Sequence, residues 1–322
     1  MPDVSETARP AARVAVLDLG SNTTRLLVAD VRDREVVELE KQTTITRLAE
    51  RVDATGRLAD TAMARVADVI AGYRELIDRH GAETVVAVAT SAMRDAANGP
   101  DFKRELAERF GVEPRTISGD EEARLTFLGA TAGRPAGGAP TVIVDIGGGS
   151  TEYVIGCAGA DPDFHVSTQM GSVRHTERFL SSDPPEHEEL ERLAEDIRTV
   201  IEESVPAELR DSTGAGVAVA GTATSLAAID QELDPYDPER VHGYPLDLAA
   251  CERIQAMLAT LPLDDRREVA GLHPDRAPTI VAGTTILVES IRAFGLEEIE
   301  VSEADILHGA ALAAARGELA GS

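Results

Sequence analysis

Residues 141–155 read TVIVDIGGGSTEYVI, and the rest of the chain is organised around this stretch. An apolar run ends on an acid, three glycines follow, and a second apolar run begins after a second acid. Two β-rich runs joined by a short glycine segment predict a hairpin. Glycines there let backbone N–H groups converge on an anion, because no Cβ blocks close approach. Acids on both sides of the turn repel phosphate unless a divalent cation lies between them. From this stretch alone, an ordinary glycine hairpin and a phosphate-plus-metal site are equally good interpretations.

A near-copy of this stretch occurs at residues 13–31, RVAVLDLGSNTTRLLVADV. The two align without a gap, and the matched positions are Asp18 with Asp145, Gly20 with Gly147, Thr23 with Ser150, and Thr24 with Thr151. Such a match predicts the duplication of a whole supersecondary unit. One position breaks the symmetry, because Arg25 stands where Glu152 stands. The two hairpins could therefore share a phosphate between them but could not hold a metal equivalently.

A second correspondence lies further along each half. Residues 217–229, VAVAGTATSLAAI, repeat the strand–turn–helix plan of residues 85–94, VVAVATSAMR. Gly221 and Thr222 fall on Thr90 and Ser91 in this alignment. We therefore predict two mixed α/β lobes of like design that face one another, with the hairpin turns lining the cleft between them.

Two charged positions next to these turns have competing interpretations. Arg94 lies in the first turns of a predicted helix, beside hydroxyls that mark an anion site, so it is a candidate phosphate clamp. Spacing alone slightly favours a surface pair with Asp95 or Asp101 instead. In the segment ISGDEEARL, Ser118 is expected to N-cap a helix that begins near Asp120. The functional alternative is that one of its glutamates projects into a cleft as a general base.

Composition limits the classes of function. The chain has 322 residues, enough for about two domains, and its net charge is −26. This charge argues against general affinity for nucleic acid or anionic membranes. No apolar stretch approaches membrane-spanning length. The two cysteines, Cys157 and Cys251, form no disulfide framework or metal pattern, so we expect a cytoplasmic protein. An anionic substrate would have to be attracted by local arginines, backbone amides and a metal.

Five motifs carry a family resemblance, and they occur in the order DLGSNTTRLL, ATSAMRDAAN, ISGDEEARL, DIGGGSTE and VAVAGTATSLAA. With them the chain resembles the exopolyphosphatase and guanosine pentaphosphate phosphatase family, within the actin/sugar kinase/Hsp70-like superfamily. The resemblance implies an α/β fold of two duplicated ribonuclease-H-like lobes, with mixed sheets flanked by helices around a cleft. We expect the lobes to span residues 1–135 and 136–322, with the closing helix free to pack back on the first lobe.

The resemblance also implies roles for individual residues. Glu122 would be the general base, and Glu121 is the weaker candidate, because adjacent helical residues point about 100° apart. Arg94 would clamp the substrate, and Asp145 and Glu152 would hold Mg²⁺, or Mn²⁺ in its place, directly or through waters. Phosphate is expected to be bound by a larger set from both halves, comprising Asp18, Gly20, Ser21, Asn22, Thr23, Gly147, Gly148, Gly149, Ser150, Thr151, Gly221 and Thr222.

The expected activity is that of an Mg²⁺-dependent exopolyphosphatase that releases orthophosphate from inorganic polyphosphate. Longer family members carry additional C-terminal domains, so a preference for short chains is expected here. Two other departures from the family pattern are Arg25, which adds a charge beside the first loop, and His308, which stands where an arginine is more usual.

The alternative substrate is guanosine pentaphosphate, cleaved at its 5′ end. An alternative of another class is a phosphate- or nucleotide-binding sensor with negligible turnover. An ATP-dependent kinase is disfavoured, because no separate acceptor domain is evident. A homodimer is the default expectation for the oligomeric state.

Overall fold

The computed structural model describes residues 11–319, and its framework is two mixed β-sheets. The first sheet has the order β3-β2-β1-β4-β5 and is formed by β1 (Ala12–Leu19), β2 (Thr23–Arg32), β3 (Glu35–Ile45), β4 (Thr84–Ala89) and β5 (Arg115–Thr116). The second has the order β10-β11-β9-β6-β7-β8 and is formed by β6 (Gly137–Ile146), β7 (Thr151–Ala158), β8 (Phe164–Thr168), β9 (Ala215–Val219), β10 (Tyr244–Asp247) and β11 (Glu298–Val301).

The helices cover both sheets. Those before β6 are α1 (Val52–Thr55), α2 (Asp60–His80), α3 (Ser91–Asp95), α4 (Gly99–Phe110) and α5 (Gly119–Ala130). Those after it are α6 (Ser172–Phe179), α7 (His187–Ser204), α8 (Ala207–Ser212), α9 (Ala220–Asp230), α10 (Pro238–Val241), α11 (Leu248–Thr260), α12 (Leu263–Arg266), α13 (Ile280–Ala293) and α14 (Ile306–Ala315), with a 3₁₀ turn at Pro274–Arg276. We call each sheet with its covering helices a lobe.

The two sheets repeat one strand plan. In the first, β1 pairs antiparallel with β2 and parallel with β4, and β2 pairs antiparallel with β3. In the second, β6 pairs antiparallel with β7 and parallel with β9, and β7 pairs antiparallel with β8. The duplicated mixed-sheet fold expected from the sequence is therefore confirmed. The continuous apolar runs of β1 and β6 follow from this plan, since both faces of a central strand are buried under helices.

Helix α5 lies between the two sheets. Its Leu125 belongs to the apolar core of the first sheet, together with Val14 of β1. Its Phe127 belongs to a separate apolar cluster with Ile143 and Val154 of the second sheet. On their outer faces the sheets are covered by other helices, α2 and α4 on the first and α7, α9, α11 and α13 on the second. One helix thus contacts both sheets, and the buried side of its first turn, which carries Glu122, lies where the lobes meet.

The closing helix α14 packs on the first sheet, against α5. A Cβ on Gly129 of α5 would lie 1.9 Å from the carbonyl oxygen of Asp305, and one on Gly309 of α14 would lie 1.8 Å from that of Leu125. Only glycine permits this close approach of two backbones. Strands of the first sheet come from residues 12–116 and those of the second from residues 137–301. The division of the chain at residue 135 stays a prediction, because α5 contacts both sheets and α14 returns to the first.

Two expectations from composition concern the chain as a whole. Among residues 11–319 there is no helix whose length and apolar character would let it cross a bilayer. Cys251 is buried in the core of the second sheet and Cys157 is partly exposed; both are free thiols.

Candidate active site

The turns of the two glycine hairpins have the same hydrogen-bond geometry. The N–H of Gly20 donates to the carbonyl of Thr23, and the N–H of Gly147 donates to that of Ser150, both at 2.9 Å. The strand register places Asp18 opposite Arg25 in the first hairpin, and Asp145 opposite Glu152 in the second. The alignment made from the sequence therefore matches the backbone, including the position where the two copies differ in charge.

The two turns meet across the cleft. A Cβ on Gly148 would lie 3.1 Å from the backbone nitrogen of Asn22, and one on Gly149 would lie 2.6 Å from Oγ of Ser91 and 2.8 Å from Oγ of Ser21. The hydroxyls of Ser21 and Ser91 are themselves hydrogen-bonded at 2.8 Å. A side chain at either glycine would hold the lobes apart, so these glycines allow the loops to touch.

In the second loop, three consecutive backbone N–H groups have no hydrogen-bond acceptor among the described residues. The carbonyl of Gly148 accepts the N–H groups of Val173 and Arg174, at 2.9 and 3.1 Å, and that of Gly149 accepts Nε of Arg174 at 2.8 Å. Because a trans peptide points its C=O and N–H in opposite directions, the following N–H groups face away from α6. Within residues 11–319 the N–H groups of Gly148, Gly149 and Ser150 donate no hydrogen bond. Such free amides in a glycine turn suit a phosphate.

A cavity of about 800 Å³ lies between the lobes at these turns. Most of the residues predicted for the site line it, and these are Asp18, Gly20, Ser21, Asn22, Thr23, Glu122, Asp145, Gly147, Gly148, Ser150, Glu152, Gly221 and Thr222. Three predicted residues do not line it, namely Arg94, Gly149 and Thr151. The structure thus brings together four carboxyl groups and both glycine turns in one cleft.

Thr151 faces the interior because side chains alternate along a strand. Its hydroxyl donates to the carbonyl of Met170 at 2.5 Å, while its neighbours Ser150 and Glu152 face the cavity. Thr24, its counterpart in the first hairpin, is likewise buried and hydrogen-bonded to Thr46 at 2.9 Å. The hydroxyl of Thr151 therefore belongs to the core and not to the phosphate site.

In the first lobe the buried acid is balanced by an arginine. Asp18 accepts Nη2 of Arg25 at 2.6 Å through Oδ2, and Arg25 also pairs with Asp305. Burial raises the pKa of Asp18, and Arg25 opposes that shift. Oδ1 of Asp18 is buried without any hydrogen-bond partner in the described part of the chain. An unpaired carboxylate oxygen beside a cavity is suited to a ligand that is a cation or carries N–H or O–H donors.

In the second lobe two acids face each other instead. Asp145 accepts the hydroxyl of Thr126 at 3.1 Å, and Glu152 accepts that of Ser167 at 2.7 Å. Burial, with the charge of Asp305, raises the pKa of Asp145 to about 7. Burial, with the charge of Asp145, raises the pKa of Glu152 to about 8. Two buried like charges require a cation to remain ionised together.

This pair fits Mg²⁺. The described residues contain no cluster of three or more His, Cys, Asp or Glu side chains arranged to hold a metal. Mg²⁺ does not need such a cage, because it retains several waters and is bound through one or two carboxylates plus phosphate oxygens. Asp145 and Glu152, with the unpaired Oδ1 of Asp18 across the same cavity, provide that kind of oxygen donor set.

Glu122 lies at the start of α5, where the lobes meet. Ser118 caps this helix as expected, its hydroxyl accepting the N–H of Glu121 at 3.1 Å. Glu122 is 7% exposed and lines the cavity, whereas Glu121 turns outward and pairs with Arg115 at 2.8 Å. Burial, then the charges of Glu152 and Asp145, hold the pKa of Glu122 well above its usual range.

Arg94 lies behind Glu122 rather than in the cavity. Its Nη1 donates to the carbonyl of Ile117 at 2.9 Å and lies 3.4 Å from Oε2 of Glu122, while its Nε lies 3.7 Å from Asp95. Asp101, the other partner considered from the sequence, pairs with Arg104 at 2.5 Å. Arg94 therefore supports the Glu122 carboxylate, and its contact with a substrate stays a prediction.

Three cationic residues that were not predicted from the sequence also line the cavity, namely Lys41, Arg267 and Arg276. The guanidinium of Arg276 covers Gly221, where a Cβ would lie 1.6 Å from its Nη1. Lys41 of β3 pairs with Glu303 at 2.8 Å. Arg276 lies in a short 3₁₀ turn, and no motif marks it. The only available signal for Lys41 was rarity, since the chain has just one other lysine, Lys103.

His308 lies outside the cavity, on the far side of Asp305. It is buried, and its Nε2 lies 2.8 Å from Oε1 of Glu38. Burial acts to lower the pKa of His308, but hydrogen bonds with Asp305 and Glu38 outweigh it and raise that pKa. His308 thus connects to the cleft through Asp305, which lines the cavity, and through Glu38 and its neighbour Lys41.

Comparisons with known proteins place the chain in one family. The family model described as the Ppx/GppA phosphatase family matches residues 27–315. Exopolyphosphatase 2 of Mycobacterium tuberculosis is 39% identical, over 94% of this chain and 98% of its own length. The crystal structure of the Aquifex aeolicus Ppx/GppA family member has a TM-score of 0.80 and 30% identity, covering 96% of this chain and 99% of its own. An exopolyphosphatase-like protein of known crystal structure has a TM-score of 0.88 and 32% identity, covering 96% of this chain and all of its own.

The fold and the cleft define the class as an actin-like two-lobed hydrolase. The chain belongs to the Ppx/GppA phosphatase family. The family resemblance inferred from the five motifs is confirmed, as is the expected class of enzyme, a phosphoanhydride hydrolase.

Proposed function

We propose that the chain is an Mg²⁺-dependent exopolyphosphatase that releases orthophosphate from the end of inorganic polyphosphate. One observation carries the proposal, namely that the buried Glu122 lines the same cavity as two touching glycine turns and the carboxyl groups of Asp18, Asp145 and Glu152. Relatives named as exopolyphosphatases, one of them 39% identical, support the substrate. Phosphoryl transfer to water depends on positioning and charge neutralisation, which such a cavity can supply.

Phosphate is bound by groups of both lobes. The free N–H groups of Gly148, Gly149 and Ser150 take the terminal phosphate from one side, and the Ser21–Asn22 turn takes it from the other. Arg276 and Lys41 extend the binding surface along the cavity and offset the charge of the remaining chain. The net charge of −26 makes these local cations necessary, because the protein as a whole repels a polyanion.

Asp145 and Glu152 hold Mg²⁺, or Mn²⁺ in its place, directly or through waters. When bound there, the ion would supply positive charge beside the phosphate and would let the two buried acids stay ionised. The carboxyl of Asp18, whose Oδ1 has no partner among the described residues, faces the same cavity from the first lobe.

Glu122 is the general base that orients a water and accepts its proton as the water attacks the terminal phosphorus. Its raised pKa makes it a stronger base than an exposed glutamate. Arg94, 3.4 Å away, keeps the carboxylate oriented and favours its ionised form. Glu121 has no such role, because it pairs with Arg115 on the outer surface.

The cavity of about 800 Å³ has the size of a small-ligand site, which supports short polyphosphate chains as the preferred substrate. Guanosine pentaphosphate is the second candidate, since it presents a terminal phosphoanhydride to the same groups. A cytoplasmic location and a homodimer belong to the same proposal.

The deciding experiment measures phosphate release from tripolyphosphate, long-chain polyphosphate and guanosine pentaphosphate side by side, with Mg²⁺ and with chelator. We expect release to depend on Mg²⁺ and to be fastest with tripolyphosphate. Faster release from guanosine pentaphosphate would reassign the substrate. Substrate binding without release in a single turnover would mean a sensor.

A further inference from the structure

Resting on the proposed function, we propose that Arg174 is a positioning residue that ties both phosphate-binding turns and the Arg94–Glu122 pair into one arrangement. Arg174 lies in the first turn of α6, in the second lobe, and does not line the main cavity. Its side chain is 15% exposed and contacts both lobes.

Three different groups are bound by the three nitrogens of this guanidinium. Nε donates to the carbonyl of Gly149 at 2.8 Å, within the second lobe. Nη1 pairs with Asp53 of α1, and Nη2 lies 3.2 Å from Asp95 of α3, both in the first lobe. The planar fork of arginine suits such a set, whereas a lysine ammonium is a single point charge and could satisfy only part of it.

The contact with Gly149 orients the backbone N–H groups that are proposed to bind phosphate. Because the peptide unit is planar and trans, holding this carbonyl on the α6 side directs the N–H of Ser150 to the opposite side. The backbone N–H of Arg174 holds the preceding carbonyl, that of Gly148, in the same way. The Arg174 side chain thus orients the N–H of Ser150, while the backbone N–H groups of Val173 and Arg174 together orient that of Gly149.

The contact with Asp53 links Arg174 to the glycine turn of the first lobe, at Ser21 and Asn22. Asp53 follows a segment in which the N–H groups of Thr46 and Ala49 donate to the carbonyls of Asn22 and Ser21, at 2.9 and 2.8 Å. The carbonyls of the first turn are therefore held by the segment to which Arg174 is anchored. A second bond across the cleft, from the N–H of Arg51 to Glu177 of α6 at 3.1 Å, strengthens the same junction.

The contact with Asp95 links Arg174 to Glu122, the proposed base. Asp95 adjoins Arg94 in the chain and lies 3.7 Å from its Nε, and Nη1 of Arg94 lies 3.4 Å from Glu122. A shift of the second lobe relative to the first would therefore move Arg94 and the glycine turn apart. Small misplacements of catalytic groups have large kinetic effects.

The test compares Arg174→Ala with Arg178→Ala, one turn further along α6, where the exposed guanidinium lies over Phe179. We expect Arg174→Ala to lower kcat for tripolyphosphate about 10- to 100-fold, with a smaller change in KM, and Arg174→Lys to recover part of this. Arg178→Ala should stay within about twofold of the wild type. An unchanged kcat in Arg174→Ala, or an equal loss in Arg178→Ala, would overturn the proposal.

A double-mutant cycle gives a readout that a general structural role would not move. Asp95→Asn alone should lower kcat, but it should cost little more once Arg174→Ala is present, because the two act through one contact. Full additivity of the two losses would refute the coupling.

A third measurement does not depend on hydrolysis and so separates this inference from the proposed activity. Spin labels on Arg79→Cys of α2 and Glu203→Cys of α7, in a Cys157→Ser background, report the distance between the lobes. We expect the distance distribution to broaden or lengthen with Arg174→Ala and not with Arg178→Ala. If the distribution of label distances is unchanged in Arg174→Ala, Arg174 does not hold the two lobes together. This conclusion stands even if the wild type releases no phosphate from any substrate tried.

Discussion

Asp145 and Glu152 lie directly opposite each other on antiparallel strands β6 and β7, both nearly inaccessible to solvent. The equivalent pair in the first lobe is Asp18 and Arg25, which form a salt bridge at 2.6 Å. The duplicated hairpins therefore differ in charge at one position. The pair in the first lobe neutralises itself, whereas the pair in the second lobe needs an external cation. The duplication supplies the two glycine turns that we propose bind phosphate, and this difference assigns the proposed metal to the second lobe.

The first prediction concerns the base. Glu122→Gln should lower kcat by at least about 100-fold, because the amide cannot accept the proton, while substrate affinity stays within several-fold. Steady-state phosphate release and direct binding of tripolyphosphate measure the two effects. Glu121→Gln is the matched control and should retain activity, since Glu121 pairs with Arg115 at the surface. Turnover like that of the wild type in Glu122→Gln would remove Glu122 as the base.

The second prediction concerns the metal. Saturating Mg²⁺ should stabilise the wild type against thermal unfolding, by about 2.7 kcal/mol at a hundred times its Kd. Glu152→Gln should lose most of that stabilisation, yet be at least as stable as the wild type in chelator, because one of two buried like charges is gone. Calorimetry with and without Mg²⁺ measures both quantities. An equal Mg²⁺ response in both proteins would place the metal elsewhere.

The third prediction concerns the crossing of α5 and α14. Gly309→Ala should destabilise the protein by about 1–3 kcal/mol, because the new Cβ would meet the carbonyl oxygen of Leu125 at 1.8 Å. Gly72→Ala, in the exposed face of α2 with no atom within 4 Å of the new Cβ, should instead stabilise by about 0.5–1 kcal/mol. Urea unfolding distinguishes the two signs. An unchanged free energy of unfolding in Gly309→Ala would mean that the two helices can move apart to accommodate the new Cβ.

The fourth prediction concerns acid stability. The hydroxyl and N–H of Ser181 and the N–H groups of Ser182 and Glu186 donate to the carboxylate of Glu189, and they lower its pKa from 4.5 to about 2. Since the folded-state pKa is the lower one, this stabilisation is complete above about pH 4.5 and disappears as the pH falls towards 2.

Glu189→Gln should therefore cost about 1 kcal/mol near neutral pH and nothing near pH 2. Unfolding experiments from pH 2 to 7 measure that difference. Glu188→Gln, an exposed neighbour in the same helical turn, is the control and should show little change across this range. A difference between Glu189→Gln and the wild type that does not vary with pH would contradict the assignment.

The duplication of the two glycine hairpins was predictable from the sequence alone. Apolar runs broken by an acid and glycines specify hairpins locally, and comparing the two copies located Asp18, Asp145 and Glu152 without any structure. The Ser118 cap was predictable for the same reason, because helix capping is a local property.

Only the tertiary structure decided which side chains share the cleft. Arg94 proved to lie behind Glu122, and Thr151 faces the core, because a strand alternates its faces and a helix packs where the sheets allow. Arg276 reaches Gly221 from a turn more than fifty residues away in the chain, and Arg174 joins lobes whose contact no local pattern encodes. Such contacts depend on packing between distant segments, which local propensity does not specify.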